Sequence, residues 1–230
     1  MKSFKYLDII IGLFVAVLLI SNIASSAKIV ELGPFTYDGG TLLFPLSYIF
    51  GDVLTEVYGY SVSRRVIWIG FVSVLLMSVT LAVVGALPGN ADWLGANNFG
   101  QEAFNKILGS TPRIVAGSLV AFWAGSFAND FLLAKLKLIT NGKWLWMRTI
   151  GSTLIGEGVD TAVFATVAFL GAMPNDVFLN LIWSNYVFKV GIEVLFTPVT
   201  YWIVTILKRA EGVDAYDRET DFNPFKMKSA

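Results

Sequence analysis

The sequence predicts an all-α integral membrane protein with six transmembrane helices, and three observations carry that expectation. Of 230 residues, 55% are hydrophobic and 15% charged, against about 25% charged in a soluble domain. The mean hydropathy is +0.66. The apolar residues gather into six runs, each close to the ~20 residues a helix needs to cross the hydrocarbon core.

The runs lie near Leu7–Ile29, Thr41–Tyr60, Val66–Leu87, Pro112–Ile139, Thr149–Ala172 and Leu181–Leu207. The first follows Lys2 and Lys5 and holds Ser21-Asn22 toward its far end. A cleaved leader is the competing reading of its basic start and small-residue end, but Asn22 favours a retained helix. Gly39-Gly40 opens the second run, the least apolar of the six because GDVLTEVYGY places Asp52 and Glu56 inside it. Arg64-Arg65 form a basic step before the third. Pro88–Thr111 is the one long loop; within it QEAFNKIL (Gln101–Leu108) is faintly amphipathic, as an interfacial helix or a lid would be.

The fourth run contains Asn129-Asp130, and the fifth contains GEGVDT with Glu157 and Asp160 three apart. The sixth carries Asn185, Lys189 and Glu193 at i, i+4 and i+8, a spacing that lets Lys189 and Glu193 neutralise each other along the helix. Pro198 follows and predicts a kink near Glu193, because it frees a carbonyl one turn back. The chain continues into EGVDAYDRETDFNPFKMKSA, a polar tail expected to be mobile. Residues 1–210 are therefore expected to form the transmembrane unit and 211–230 a cytoplasmic tail.

Lysine and arginine set the orientation. Lys2, Lys5, Arg64, Arg65, Lys143, Arg148, Lys208 and Arg209 fall on one side of the six runs. The opposite loops hold Glu31, Asp38, Asp92, Glu102, Lys106, Arg113 and Asp176. Both termini are expected in the cytoplasm, with the helices in a bacterial inner membrane.

Composition also excludes. Lys+Arg and Asp+Glu are both 17, so no net charge recruits nucleic acid. Without Cys or His, the chain has no disulfide, thiol or histidine-based chemistry. No metal site or cofactor is expected, and an intramembrane enzyme using an acid pair is the remote rival. No GxxxxGK[ST] occurs, so an ATPase would have to be a partner.

The buried polar residues point to function. Asp52 and Glu56 share a helix face, and Tyr48 extends that stripe by a turn. Lipid cannot solvate such stripes, so they face one another or a watery cavity. Asn22 and Ser21 could also serve as interhelical hydrogen bonds. Asp52, Glu56, Asp130, Glu157, Asp160 and Glu193 face only Lys189 as a securely buried cation, with Lys28 and Lys135 nearer the span ends. Several of these acids must hold protons, cations or hydrogen-bond donors. That pattern suits a transporter for a donor-rich or cationic ligand, working by facilitation or proton coupling. Asn22 with Lys28 and Asn129 with Lys135 repeat one separation, and Gly-acid pairs recur in the second and fifth runs, so a 3+3 inverted repeat is one reading.

The stretches FPLSYIFGDVLTEVYGY, ANDFLLAKLK, GEGVDTAVF and NYVFKVGIEVLFTP, spread over Leu7 to Leu207, resemble the queuosine precursor transporter family, also called the vitamin uptake transporter family. The resemblance implies a six-helix inner-membrane importer of 7-cyano-7-deazaguanine or 7-aminomethyl-7-deazaguanine. It also implies a fold related to the substrate-binding subunits of energy-coupling-factor vitamin transporters; such a subunit, driven by an ATPase partner, is the alternative. A homo-oligomer is compatible with either. The residues expected to bind substrate are Asp52, Glu56, Asp160, Lys189, Glu193, Asn22, Asn185 and Tyr48, with Asp52 or Glu56 expected to accept the donor edge of the base. Asn129, Asp130 and Glu157 are expected to form an inner gate or proton path, with Glu56 at the same depth.

Overall fold

The computed structural model describes residues 4–32, 35–94, 100–109, 112–171 and 174–226. In chain order the elements are α1 (Leu7–Ala27), β1 (Ile29–Leu32), β2 (Phe35–Asp38), a 3-10 turn (Gly39–Leu42), α2 (Phe44–Tyr58), α3 (Tyr60–Ala86), α4 (Ala91–Leu94), α5 (Gln101–Ile107), α6 (Pro112–Ile139), α7 (Leu145–Phe169) and α8 (Asn175–Glu211). The expectations for Lys2, for the side chains of Arg113 and Asp176, and for part of the Pro88–Thr111 loop lie outside the described residues.

Among the described residues, four helices, α1, α3, α6 and α8, are long and apolar enough to cross a membrane. The protein is mostly helical and multi-pass. α2 differs from its expected span: it has 15 residues, only about 22 Å at 1.5 Å per residue. Nearly all of it is buried, Asp52 at 0% exposure and Glu56 at 1%. It is a central helix wrapped by α1, α3, α6 and α8, which is how its acids avoid lipid.

The expected all-α architecture needs one addition. Ile29–Leu32 and Phe35–Asp38 pair antiparallel, with Val30 opposite Tyr37; β-branched and aromatic residues suit that geometry. Asp38 then caps the 3-10 turn, accepting from the Gly40 and Thr41 N–H groups at 3.0 and 3.1 Å and from Thr41 Oγ1 at 2.8 Å.

Gly59 separates α2 from α3 at φ 88°, a left-handed conformation that favours glycine. Helix α3 starts at once, so Arg64 and Arg65 sit in its first turns rather than in a loop. Arg64 is 3% exposed.

α6 and α7 form a tight hairpin. Gly117, Ala121 and Gly125 recur every fourth residue on α6, the small-residue spacing that lets membrane helices approach closely. A Cβ on Gly125 would lie 2.7 Å from Asp160 Cβ and 2.9 Å from the Gly156 carbonyl oxygen. This crossing brings the acids of α7 against α2.

One end of the bundle carries both chain ends. The N–H groups of Lys5 and Tyr6 donate to the Glu211 carboxylate at 2.9 and 2.7 Å, and Tyr58 Oη donates to it at 3.0 Å. The tail, expected to be mobile, is docked across this end. Ala215 N–H donates to Val57 O at 3.2 Å, and Asp217 accepts from Tyr60 N–H at 3.0 Å. Arg64 donates to the carbonyls of Asp221 and Asn223 at 2.7 and 2.8 Å, and Trp68 Nε1 donates to Pro224 O at 2.8 Å. Phe225 packs on Trp68 and Trp123, with centroids 6.0 and 5.6 Å away. Two of these contacts, at Val57 O and Tyr60 N–H, satisfy backbone groups freed by the Gly59 break.

Candidate functional site

A cavity of about 940 Å³ opens on the end opposite the termini. α1, α3, α5, α6, α7 and α8 contribute walls, with the 3-10 turn beside them. Asn22 and Asn185 line it: Ser118 Oγ donates to Asn22 Oδ1 at 3.0 Å, and Thr41 Oγ1 donates to Asn185 Oδ1 at 3.0 Å. Tyr37, Phe44 and Phe164 supply aromatic surface, and the ring of Tyr37 stacks on Phe188 at 4.5 Å. α5 lies at the mouth, where Phe104 meets Gly85 of α3.

Asp160 and Lys189 form the floor. Lys189 Nζ donates to Asp160 Oδ2 at 2.6 Å, lies 3.2 Å from Glu157 Oε2, and sits 4.4 Å above the Phe44 ring. Its partners are thus on α7. The expected pairing of Lys189 with Glu193 along α8 does not form, because the α7 acids reach the ammonium first.

Beneath the floor is a closed polar column. Tyr48 Oη donates to the Gly156 carbonyl at 3.5 Å. Asn129 Nδ2 donates to Asp52 Oδ1 at 2.7 Å and to Asp130 Oδ1 at 3.3 Å, and Ser63 Oγ donates to Asp130. Glu157, Asp130, Asp52, Asn129 and Glu193 are each at most 2% exposed. Among the described residues, Asp52 Oδ2, Asn129 Oδ1 and Glu193 Oε2 have no hydrogen-bond partner.

Glu56 lies one turn farther along α2, in an ionic cluster of its own. Arg148 donates to both of its carboxylate oxygens, Lys208 Nζ reaches Oε1 at 2.6 Å, and Lys137 Nζ lies 3.3 Å away. Asp214, from the tail, bridges Lys137 at 2.6 Å and Lys208 at 2.8 Å. Burial works to raise the Asp214 carboxyl, but the hydrogen bonds from Lys137 and Lys208 outweigh it and hold it below the ordinary carboxylate range. Lys189 is therefore not the sole buried cation: Arg148 and Lys137 are each 1% exposed.

The expected site residues thus fall into three layers. Asn22, Asn185, Asp160 and Lys189 line the cavity, Tyr48, Asp52, Asn129, Asp130, Glu157 and Glu193 fill the column, and Glu56 anchors the far cluster. Residues 38–203 match the family model described as "putative vitamin uptake transporter". The chain belongs to the vitamin uptake transporter family. A "probable queuosine precursor transporter" of Bacillus subtilis (strain 168) is 32% identical over 178 residues, 76% of this chain and 74% of the relative. The "queuosine precursor transporter" of Escherichia coli (strain K12) is 28% identical over 74% of each chain. A "probable queuosine precursor transporter" of Haemophilus influenzae (strain ATCC 51907 / DSM 11121 / KW20 / Rd) is 23% identical over 74% of this chain and 69% of the relative. No solved structure matches significantly.

Within the family match, sequence reasoning missed Lys137 and Arg148 as interior groups. The available signal was Glu56 near the end of one run, with Lys137, Arg148 and Lys208 at the matching ends of three others. Asp214 lies beyond the matched residues, in the tail.

Proposed function

We propose that this member of the vitamin uptake transporter family imports a queuosine precursor, 7-cyano-7-deazaguanine or 7-aminomethyl-7-deazaguanine, across a bacterial inner membrane. The observation that carries the reading is the cavity floored by Asp160 and Lys189, in a chain whose relatives are named for that cargo. A guanine-type ring offers N1–H and an exocyclic amine, which one carboxylate accepts side by side. Asp160 is the acid placed to accept them, and Lys189 can swing to the ring carbonyl or remain on Glu157. Phe44, Tyr37 and Phe164 offer the flat walls that a heterocycle stacks on, and Asn22 and Asn185 line its route.

In this reading Asp52, Tyr48 and Glu193 support the floor, and Asn129, Asp130 and Glu157 continue the path inward. Glu56 belongs to the inner gate. The six helices α1, α2, α3, α6, α7 and α8 lie in the membrane, with α2 screened from lipid by the rest and α7 exposing Leu154 and Ile155 on its outer side. They divide into two units of three, the arrangement of an inverted repeat, on a fold akin to energy-coupling-factor substrate-binding subunits. Residues 1–210 form the translocating unit and 211–230 its tail. The end carrying the termini faces the cytoplasm, as its arginines and lysines favour, so the cavity faces outward and α5 lies over its mouth.

The test is equilibrium binding of both bases to the purified protein and to Asp160→Asn and Lys189→Met. Wild type is expected to bind at least one base, with a tenfold or greater loss in Asp160→Asn. If folded wild type binds neither base, the substrate assignment is wrong.

A further inference from the structure

Within the column, Asp52, Asp130 and Glu193 have no ion pair among the described residues, and of the three only Glu193 shares a helix with Lys189. Asp160 and Glu157 share Lys189, Glu56 has three cations, Asp130 accepts from Ser63 and Asn129, and Asp52 accepts from Asn129. Among the described residues Glu193 has no ion pair, and its Oε2 has no hydrogen-bond partner although the residue is 2% exposed. The groups that face it are Asp52 from α2, Glu157 and Thr153 from α7, and Tyr48 from α2. Lys189, one turn away on α8, points to α7 instead. A carboxylate left charged in so dry a place, between two other acids, would be strongly disfavoured.

We propose that Glu193 is the proton-carrying residue of the transport cycle. The assignment rests on the importer reading given above and supplies its driving ion. In the conformation described here, with the cavity open on one side and the Glu56 cluster closed on the other, Glu193 holds a proton. The proton comes from the outside medium by way of the cavity floor, where Glu157 lies between Lys189 and Glu193. When the inner cluster opens, water reaches Glu193, its O–H bond breaks, and the proton leaves to the cytoplasmic side. The carboxylate left behind then draws Lys189 from the ring carbonyl, which loosens the base held on Asp160. One proton enters for each base imported, so a gradient acidic outside drives uptake.

The experiment uses the full chain in proteoliposomes loaded with a pH-sensitive dye, with 7-aminomethyl-7-deazaguanine and its nitrile as separate probes. Wild type is expected to take up base severalfold faster when the outside is acidic, with matching acidification of the lumen. Glu193→Gln is expected to lose that response, its rate ratio falling to about one, with no acidification of the lumen beyond that of protein-free liposomes. Glu193→Asp, which keeps a carboxyl, restores part of the gradient response. Replacing sodium by choline leaves wild type unchanged.

Three results overturn the assignment. Retention of the gradient response by Glu193→Gln moves the proton elsewhere. Wild type exchanging base with no response to the gradient removes proton coupling while sparing the importer reading. Wild type exchanging neither base overturns both. If Glu193→Gln does not fold, the wild-type lumenal acidification and the Glu193→Asp response decide the matter.

Discussion

Glu56 shows why a buried charge is judged by its partners. Arg148, Lys137 and Lys208 surround its carboxylate, so Glu56→Gln leaves those cations with only Asp214 nearby. Removing one member of a buried ion pair costs about 3–5 kcal/mol, and Glu56→Gln is expected to show a loss of that order in thermal unfolding in detergent. Arg148→Gln should cost less, because Lys137 and Lys208 remain on Glu56. Equal melting of Glu56→Gln and wild type would contradict the cluster. Asp214 gives a pH dependence of known sign. Its carboxyl is held below the ordinary carboxylate range, so its contribution to tail docking is complete above that range and fades as pH falls through the lowered value. Tryptophan fluorescence should report the release, since Trp68 and Trp123 contact Phe225. Sequence reasoning identified the acids of this layer but treated Arg148 as a loop charge, because span-end basic residues ordinarily mark the cytoplasmic side. Only the packing of three helix ends against α2 shows it turned inward.

At the scale of elements, the α6–α7 crossing depends on two backbones meeting where neither helix has a side chain. A methyl on Gly125 would press on Asp160 Cβ and on the Gly156 carbonyl. Gly12, on α1, has nothing within 4 Å of such a methyl. Gly125→Ala is therefore expected to lower the melting temperature and weaken base binding through displaced Asp160, whereas Gly12→Ala should do neither; matched thermal and binding curves check this. The long apolar elements were legible because periodicity and length suffice for them: α6 occupies the expected Pro112–Ile139 end to end. The region between α1 and α3 was not. Its hairpin is too short to stand out from a loop, and α2 is set by a capped 3-10 turn at one end and Gly59 at the other rather than by membrane thickness. The grouping of Asp160 with Lys189 was legible only as shared polarity, since which helix Lys189 leans toward is a matter of interhelix distance.

The whole molecule is open at one end and closed at the other, and a chain without cysteine is suited to mapping that asymmetry. A membrane-impermeant thiol reagent added outside is expected to modify Ser78→Cys, which lines the cavity, and bound base should slow the reaction. Ser152→Cys, at a position with 0% exposure, should stay unmodified from either side. Reaction of Ser78→Cys only from the cytoplasmic side would reverse the orientation. The docked tail also fixes an order of biosynthesis. Residues 214–226 follow α8, so they leave the ribosome after every membrane helix. Until they do, the Tyr60 N–H lacks its Asp217 partner, and Arg64 and Trp68 lack their carbonyls. The newly inserted bundle therefore passes through a stage in which its helices are in place but the end formed by the Gly59 break is uncapped, and lipid headgroups or water must serve those groups until the tail arrives.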